Sequence, residues 1–376
     1  MLSVKIRLKP TKTQEVYFKK ASGTARWSYN YALERSETFY KETGKRISEQ
    51  DIRKEITQLK KQEEFKWLQE ISAQVPKQAV KDLDLAYKRF FKGLGNKPKF
   101  KSKKNSKLSF YIPNDKLRVE ENRVYLDKLG WVKTNKDTRG THLLSKFSNP
   151  RVKFDGKYWF LTFSVDKLPN KNYSEGNLNK EVMGIDLGIS KLAYLSNGKY
   201  YLNINKTRIV RKLEKRLKRL QRQVSRKYRM NKQGNKFIKT KNIIKLEAKI
   251  KLLYRRLSNI RLDYLHKVTT EIVRTKPSQI VLEDLKVRNL LKNKHLSKAI
   301  KDQSLSKFRE FITYKAKLQG IEIKLANTFY PSSKICSSCN FKLNSLKLHD
   351  RVFKCPECGL EIDRDLNAAI NLAQLI

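Results

Sequence analysis

Acidic residues are scarce in this 376-residue sequence. Asp and Glu number 36 against 85 Lys and Arg, which gives a formal net charge of +49 at pH 7 and an isoelectric point near 10.1. This large excess of positive charge predicts that the protein binds a polyanionic partner. Hydrophobic residues make up 39% and aromatic residues 10%, as in folded proteins with cores. We therefore expect a folded protein that binds nucleic acid.

Long apolar runs are also missing. No stretch approaches the roughly 18 apolar residues of a membrane-spanning helix. The first residues, MLSVKIRLKPTKTQ, contain no apolar segment of the kind found in signal peptides. An anionic membrane surface is the alternative polyanion for a basic protein. Without a span or a signal peptide, we expect a cytoplasmic protein that has no membrane partner.

Cysteine is rare, and the sequence has only Cys336, Cys339, Cys355 and Cys358. Their spacing, C-x2-C-x15-C-x2-C, is typical of two knuckles that close a tetrahedral thiolate site for Zn²⁺. Disulfides are the alternative, and a reducing compartment disfavours them. Because four thiolates leave no open coordination position, the predicted zinc is structural, and His349 in the intervening loop is not counted as a ligand.

The periodicity of apolar residues divides the chain into strand and helix segments. LSVKIRLKP alternates as a strand, and helical spacing follows over residues 13–94. Strand patterns return after a basic linker, with a hairpin turn at the Asp-Gly pair of 155–156. A second linker ends near 180, and EVMGIDLGISKLAYLSNGKYYL then predicts two strands and a third beyond the Asn-Gly pair of 197–198.

Residues 206–256 contain 21 Lys and Arg but only two Glu. Apolar residues recur at helical spacing on both sides of MNKQGNKF, which predicts a helical hairpin with an apolar seam and basic outer faces. The predicted seam consists of Ile209, Leu213, Leu217, Leu220, Val224, Leu246, Ile250, Leu253, Leu257 and Ile260. The alternative is a solvated charged surface. With so little acid such a surface would repel itself, so contact with a polyanion is favoured.

Three acidic residues interrupt or end apolar patterns. Asp186 lies inside VMGIDLGI between Gly184 and Gly188, which allow close approach of another backbone or a phosphate. Glu283 ends the strand IVLEDL, and Asp365 begins the helix LNAAINLA. A buried acid is costly unless a cation or hydrogen bonds meet it. Carboxylates from two strands and a helix N-terminus can converge on two divalent ions roughly 3.5–4 Å apart, which activate water for attack on a phosphodiester.

Each acid alone has a simpler interpretation. A glutamate at a strand end usually forms a salt bridge, and Asp363 or Asp365 could be a helix N-cap. The order of elements favours the joint interpretation: a strand hairpin with the first acid, a strand with the second, a helix, a strand, and a helix with the third. This is the plan of an RNase H/RuvC domain, and it predicts nuclease chemistry with Mg²⁺ or Mn²⁺.

Several stretches taken together make the chain resemble TnpB, the RNA-guided nuclease encoded by many bacterial insertion sequences and a relative of type V CRISPR effectors. They are ARWSYNYAL, KPKFKSKKNSKLSF, GIDLGISKLAYLSNG, IVLEDLKVRNL, YPSSKICSSCNF and CPECGLEIDRDLNAAINLA. The resemblance covers nearly the whole chain. Each stretch is weakly specific, whereas all of them in order, with the cysteines between the second and third acid, are highly specific.

The resemblance implies a multidomain α+β protein. A β-barrel wedge domain would consist of residues 1–13 and 99–178, with a helical recognition domain at 14–98 between them. A RuvC-like α/β nuclease domain would follow at 179–376. Its implied insertions are a basic helical insert at 206–275 and a zinc ribbon, which binds target nucleic acid, at 329–361.

The resemblance also implies roles for residues. Asp186, Glu283 and Asp365 would be the catalytic acids and the ligands of Mg²⁺ or Mn²⁺, and Asp363 a supporting neighbour. The zinc ribbon precedes the last helix, so metal binding there would position that helix and its acid. All three acids are present, which argues against the alternative function, a cleavage-inactive RNA-guided DNA-binding regulator. A transposase that performs strand transfer would need a nucleophile system that the sequence does not show.

The implied partners are a guide RNA from the same mobile element, a double-stranded DNA target and a companion transposase of that element. Guide pairing would read the target sequence, and the protein would read a short flanking motif. The candidate nucleic-acid contacts are Asn114, Lys99, Lys101, Lys103, Lys104, Arg211, Arg219 and Arg226.

Overall fold

The chain divides into two units, Met1–Lys171 and Asn172–Ile376, in a computed structural model of the protein. The structure describes residues 2–103, 106–135, 147–166, 178–347 and 350–375. Two residues considered above, Lys104 and His349, lie outside these ranges. In the described ranges no helix has both the length and the apolar character needed to cross a membrane.

The first unit contains a seven-stranded sheet and a helical segment, which follows the first strand in sequence and precedes the other six. The helical segment contains α1 (Lys12–Thr43), α2 (Glu49–Leu59), a 3₁₀ helix (Glu63–Glu70) and α3 (Gln74–Phe91). The strands are β1 (Leu2–Lys9), β2 (Ser109–Tyr111), β3 (Arg118–Val119), β4 (Arg123–Leu126), β5 (Gly130–Thr134), β6 (Ser148–Phe154) and β7 (Trp159–Val165). The predicted strand–helices–strands order is therefore observed.

All pairings in this sheet are antiparallel, in the order β2-β6-β7-β1-β5-β4-β3. The first strand pairs with β7 over all but its last residue, from Leu2 opposite Val165 to Leu8 opposite Trp159. Helix α1 begins at a capping box formed by Thr11 and Gln14, which satisfies otherwise unpaired N–H groups. Its apolar face packs on the sheet, so the helical insert and the sheet share one core.

The second unit contains a mixed sheet with helices on both faces. Its strands are β8 (Val182–Leu187), β9 (Lys191–Leu195), β10 (Tyr200–Leu202), β13 (Gln279–Glu283) and β14 (Glu322–Ala326), in the order β10-β9-β8-β13-β14. The pairs β8–β13 and β13–β14 are parallel, and the other two are antiparallel. Side chains of β13 alternate between the two faces: Ile280 and Leu282 join one cluster, and Val281 joins the other.

The helices and the remaining strands of this unit fall into three groups. A helical hairpin is made by α4 (Arg208–Met230) and α5 (Lys241–Arg274), joined by β11 (Lys232–Gln233) and β12 (Lys236–Phe237). Between β13 and β14 lie α6 (Val287–Leu290), α7 (Ser297–Gln303) and α8 (Leu305–Lys317), of which only α8 was predicted. The C-terminal elements are β15 (Val352–Lys354), β16 (Glu361–Asp363) and α9 (Arg364–Ala373).

The hairpin has the predicted apolar seam with two corrections. Val224 was expected in the seam but is only half-buried and does not belong to its cluster. Ile209 was expected in the seam but is 63% exposed, and Val210 is buried there instead. The reason is helical phase, since Val210 and Leu213 share a face with Leu217 and Leu220. From Leu262 onward, α5 packs against the mixed sheet, so this helix belongs to both the hairpin and the core.

Candidate active site and metal centre

The first two candidate acids lie side by side on neighbouring parallel strands. In the register of β8 and β13 the last pair is Ile185 with Leu282, and Asp186 and Glu283 are the next residues. Side chains alternate along a strand, and the last pair points to the face covered by α5 and α8. The two acids therefore point to the opposite face, which α9 covers. Together with Asp365 they form the acid cluster.

Helix α9 lies unusually close to this face of the sheet. A Cβ atom placed on Gly184 would lie 1.9 Å from the carbonyl oxygen of Ala369 and 2.5 Å from the backbone nitrogen of Ala373. Only glycine permits this approach. Asp365 lies one helical turn before Ala369, so the contact brings the third acid toward Asp186, two residues beyond Gly184 on β8.

The electrostatics of the cluster show that its acids influence one another. Burial raises the pKa of Asp186 well above its usual value, and the charges of Glu283 and Asp365 raise it further. The guanidinium of Arg364 acts in the opposite direction. Burial also raises the pKa of Glu283, against a hydrogen bond from Ser332 that lowers it. Carboxylates gathered in this way repel one another unless cations or protons are present.

Neighbouring acids, in contrast, are neutralised by basic side chains. Lys191 Nζ lies 3.1 Å from Oδ2 of Asp363, and Arg309 Nη1 lies 2.8 Å from Oδ1 of Asp284. In the described parts of the chain no such ion pair reaches a member of the acid cluster. The unpaired carboxylates are oxygen donors of the type that Mg²⁺ and Mn²⁺ prefer, so the cluster fits divalent cations.

Asp363 is not a member of the acid cluster and has a structural role at the start of α9. It is the N-cap of α9, and its Oδ1 accepts hydrogen bonds from the backbone N–H groups of Asp365 (2.9 Å) and Leu366 (3.4 Å). Its other oxygen pairs with Lys191 of β9. The sequence left open which of the two aspartates caps the helix, and the geometry assigns the cap to Asp363 and leaves the Asp365 carboxylate uncommitted to capping.

The four cysteines form a second centre. Their sulfur atoms all lie within 4.8 Å of one another, with Cys336 Sγ 3.5 Å from Cys358 Sγ and Cys339 Sγ 3.5 Å from Cys355 Sγ. All four are free thiols rather than disulfides. Sulfur atoms around a tetrahedral Zn²⁺ with Zn–S bonds of about 2.3 Å lie about 3.8 Å apart, so the group fits such an ion.

The two knuckles have the same backbone design. In the first, Cys336 N–H donates to Phe341 O, and Asn340 N–H donates to Cys336 O. In the second, Cys355 and Gly359 make the corresponding bonds. The residue four positions after the first cysteine has a positive φ in both, 63° at Asn340 and 71° at Gly359. Asparagine and glycine are the residues that tolerate this conformation best.

Buried asparagines join the cysteine centre to α9, and sequence analysis did not find them. Asn367 Nδ2 donates to Ile335 O (2.6 Å), and its Oδ1 accepts from Ser337 N–H (3.0 Å). Asn371, one turn later, donates to Ser332 O and Ile335 O, both at 2.7 Å. The only sequence signal is two amides at i and i+4 in an otherwise apolar helix.

The basic candidates of the hairpin are exposed. Arg211, Arg219 and Arg226 are all accessible. A groove of about 610 Å³ on α4 is lined by Lys218, Gln221, Arg222, Ser225, Arg226 and Arg229. Two acids of the hairpin already pair with basic residues of the same region: Glu214 pairs with Arg261, and Glu247 pairs with Lys239. The Lys and Arg side chains that line the groove are exposed and available to a polyanion.

The candidates in the first unit differ in accessibility. Lys99 and Lys103 are exposed, as is Asn114, whose Oδ1 accepts a 3.4 Å hydrogen bond from Tyr111. Lys101 is half-buried, and its Nζ lies 3.4 Å from the centre of the Tyr29 ring. Burial lowers the pKa of Lys101. Its ammonium is thus already engaged within the unit.

Three family profiles match the chain. Residues 1–45 match a "Helix-turn-helix domain", residues 166–294 match a family described as "Probable transposase", and residues 306–372 match a "Cas12f1-like, TNB domain". The first range forms β1 and α1 in the structure. The second contains the first two candidate acids, and the third contains all four cysteines and the third acid.

Curated relatives match over almost the full length. A protein of Streptomyces pristinaespiralis described as "Putative RNA-guided DNA endonuclease" is 31% identical over 98% of this chain and 87% of its own length. InsQ of Escherichia coli strain K12, with the same description, is 29% identical over 98% of this chain and 90% of its own length. A shorter match is to a "TnpB-like protein" of Methanocaldococcus jannaschii, which is 35% identical over 29% of this chain and 41% of its own length.

Among solved structures, a Cas12f1 chain from a complex with sgRNA and target DNA has a similar fold. It superposes with a TM-score of 0.60 at 16% sequence identity, and the match covers 96% of this chain and 83% of that chain. The family predicted from the sequence stretches is confirmed by the full-length relatives and the matching profiles. The chain belongs to the TnpB family.

Proposed function

We propose that the protein is an RNA-guided DNA endonuclease. It would use a guide RNA derived from its own mobile element to bind target DNA beside a short flanking motif, and cut that DNA by metal-dependent hydrolysis. One observation carries the proposal. Three carboxylates free of ion pairs, in RuvC order, lie where α9 meets one face of a mixed sheet, in a chain whose fold resembles that of a Cas12f1 chain from a complex with sgRNA and target DNA.

The acid cluster would hold two Mg²⁺ or Mn²⁺ ions. When bound, such ions activate water for in-line attack on a phosphodiester and stabilise the leaving oxygen. Asp186 and Glu283 would supply ligands from neighbouring strands, and Asp365 would supply the third from the first turn of α9. Burial raises the pKa of Asp186, and repulsion from Glu283 and Asp365 raises it further; bound cations would relieve that repulsion.

The cysteine centre would hold a structural Zn²⁺ in a ribbon at residues 329–361. Its four thiolates leave no open position for chemistry. Its role would be mechanical, because β16 of the ribbon runs directly into the cap of α9. Metal binding in the ribbon would therefore help to hold Asp365 in position.

Nucleic acid would bind along basic surfaces. The outer face of the hairpin carries unneutralised Arg and Lys, which suits the phosphate backbone of an RNA–DNA duplex. Exposed Lys99 and Lys103, together with Asn114, are proposed contacts in the first unit, with 1–13 and 99–178 as the wedge domain and 14–98 as the recognition domain. A companion transposase of the same element is a proposed partner.

The decisive experiment is cleavage of a target plasmid with a matched guide RNA and Mg²⁺, scored beside a gel-shift. Asp186→Ala, Glu283→Gln and Asp365→Asn should each lose a metal ligand. Their cleavage should fall by about a thousandfold or more, while guided binding persists. Asp284→Asn is the matched control, because Asp284 follows Glu283 directly but pairs with Arg309. It should keep most of its cleavage.

The alternative function has its own outcome in this assay. A wild-type protein that binds the guided target but never cuts, under any divalent ion, would be an RNA-guided DNA-binding regulator. Unimpaired cutting by Asp186→Ala would place the metal site elsewhere and refute the assignment of the acid cluster.

A further inference from the structure

Ser332 connects two parts of the proposed nuclease that are far apart in sequence. Its Oγ donates a 2.7 Å hydrogen bond to Oε1 of Glu283. Its carbonyl oxygen accepts a 2.7 Å hydrogen bond from Asn371 of α9. The residue is 4% exposed, so water competes little for either bond. Ser332 thus touches a member of the acid cluster and the helix that carries another.

The same residue begins the segment that leads into the first cysteine knuckle. Residues 332–334 form a 3₁₀ turn, and Cys336 follows two residues later. Asn367 and Asn371 hold this segment to α9 through Ile335 O, to which both donate. The cysteine centre, α9 and Glu283 are therefore connected by a continuous set of hydrogen bonds that passes through Ser332.

The bond to Glu283 has a chemical consequence. A glutamate side chain has several rotatable bonds, and a carboxylate that serves as a metal ligand must be held in one orientation. The Ser332 hydroxyl takes one lone pair of Oε1 and leaves Oε2, with the remaining lone pairs, for a cation. The hydroxyl donates to a single carboxylate oxygen at 2.7 Å, so it holds the Glu283 side chain in one orientation.

We propose that Ser332 is a positioning residue that orients Glu283 toward a divalent cation and links that orientation to the cysteine centre. The inference rests on the proposed function of the acid cluster. It adds that the ribbon positions two of the three acids: Asp365 through α9, and Glu283 through Ser332. Ser332 itself touches neither substrate nor cation in this assignment.

The test compares Ser332→Ala with Ser333→Ala. Ser333 is the next residue in the same turn, but its Oγ contacts Arg364 rather than Glu283. Mn²⁺ binding to the full-length protein, measured by calorimetry with the metal alone, should weaken by about fivefold or more in Ser332→Ala and stay near wild type in Ser333→Ala. The Mg²⁺ concentration for half-maximal plasmid cleavage should shift by a similar factor, with much of the rate recovered at saturating Mg²⁺. Ser332→Thr, which keeps the hydroxyl, should restore most of the affinity.

A second comparison isolates the route through Glu283. In a Glu283→Gln background, adding Ser332→Ala should change Mn²⁺ affinity little, because the orienting bond has no carboxylate to act on. A full additional loss would show that Ser332 acts elsewhere. Unchanged Mn²⁺ affinity in Ser332→Ala would overturn the proposal. So would loss of zinc or of the thermal unfolding transition in that variant, since the serine would then serve the turn alone.

The outcomes separate this inference from the proposed function. A wild-type protein that never cleaves but binds Mn²⁺ in a Ser332-dependent manner would refute the function and leave the positioning role intact. Cleavage by wild type with identical metal dependence in Ser332→Ala would do the reverse. Absence of any Mn²⁺ binding by wild type would overturn both.

Discussion

Gly184 of β8 and Ala369 of α9 are in backbone contact so close that no side chain fits between them. An added Cβ on Gly184 would lie 1.9 Å from the Ala369 carbonyl oxygen, well inside any real contact distance. The contact lies two residues before Asp186 on the strand and one turn after Asp365 on the helix. The distance between two of the three candidate acids therefore depends on a glycine that has no chemical role.

Gly184→Ala should separate α9 from the sheet. The clash is with backbone, so rotation of a side chain cannot relieve it, and the helix must move. We expect a loss of unfolding free energy at the upper end of the about 1–3 kcal/mol typical of overpacking. Cleavage should fall more than stability alone explains, because Asp365 moves with the helix. Chemical denaturation and plasmid cleavage below the unfolding transition would measure the two effects.

The matched control for this change is Gly23→Ala in α1, where no atom lies within 4 Å of the added Cβ. Alanine should stabilise that helix by about 0.5–1 kcal/mol and leave cleavage unchanged. A Gly184→Ala protein that is as stable and as active as wild type would show that α9 does not need its close approach to place Asp365.

The sequence was informative about the acids and cysteines for a physical reason. A charged residue such as Asp186 stands out within an apolar strand, because burying a charge is costly unless a cation or hydrogen bonds compensate for it. The cysteine spacing similarly reflects one local turn repeated twice. Both signals are short-range, so they can be recognised without knowing what packs against them.

The connections between these groups could not be predicted in the same way. Ser332 meets Glu283 across 49 residues, and Asn371 meets Ser332 across 39. Which distant groups meet depends on the tertiary path of the chain, and a serine in a turn usually serves the turn itself. The prediction for Ile209 was wrong by a single position: Ile209 is exposed, and the next residue, Val210, is buried in the seam.

Zinc removal should loosen the C-terminal elements. Elemental analysis should find about one zinc per chain, from the single tetrahedral centre. Because binding at such a centre is coupled to folding, Cys339→Ser should lower the zinc content and release the ribbon. Cleavage should fall with it, since α9 is held by the same segment. A zinc-free preparation with full activity would contradict a structural role for the metal.

Charge reversal on the hairpin should weaken nucleic-acid binding in a salt-dependent way. Combined Glu substitutions of Arg211, Arg219 and Arg226 should make the slope of log affinity against log salt shallower by about 0.7–0.9 for each phosphate that the hairpin no longer neutralises. Guide RNA binding measured by filter retention over a salt series would give the slope.

The control for the hairpin uses the same change of net charge elsewhere in the second unit. Lys199, Lys298 and Lys307 are exposed lysines outside the hairpin and the ribbon that already pair with acids. Their combined reversal should alter the salt slope less than that of the hairpin. Equal effects would mean that net charge alone governs binding and that the hairpin is no special surface.

Asp363→Asn should be much milder than loss of any member of the acid cluster. Asparagine caps a helix about as well as aspartate, so the bonds to the first turn of α9 survive. Only the ion pair with Lys191 is lost, and both side chains are partly exposed, so the expected cost is no more than about 1 kcal/mol. Plasmid cleavage should fall by about tenfold at most.

Asp363→Ala removes the cap as well as the ion pair, so its effect should be larger. We expect a further loss of about 1 kcal/mol in the unfolding free energy, together with slower cleavage, because Asp365 belongs to the turn that frays. Ser48→Ala removes the cap of α2 in the first unit and is the matched control for losing a cap alone. It should lower stability without changing the metal dependence of cleavage. If Asp363→Asn proved as inactive as Asp186→Ala while remaining folded, Asp363 would have to be a ligand of the cations, and the separation of cap from cluster would be wrong.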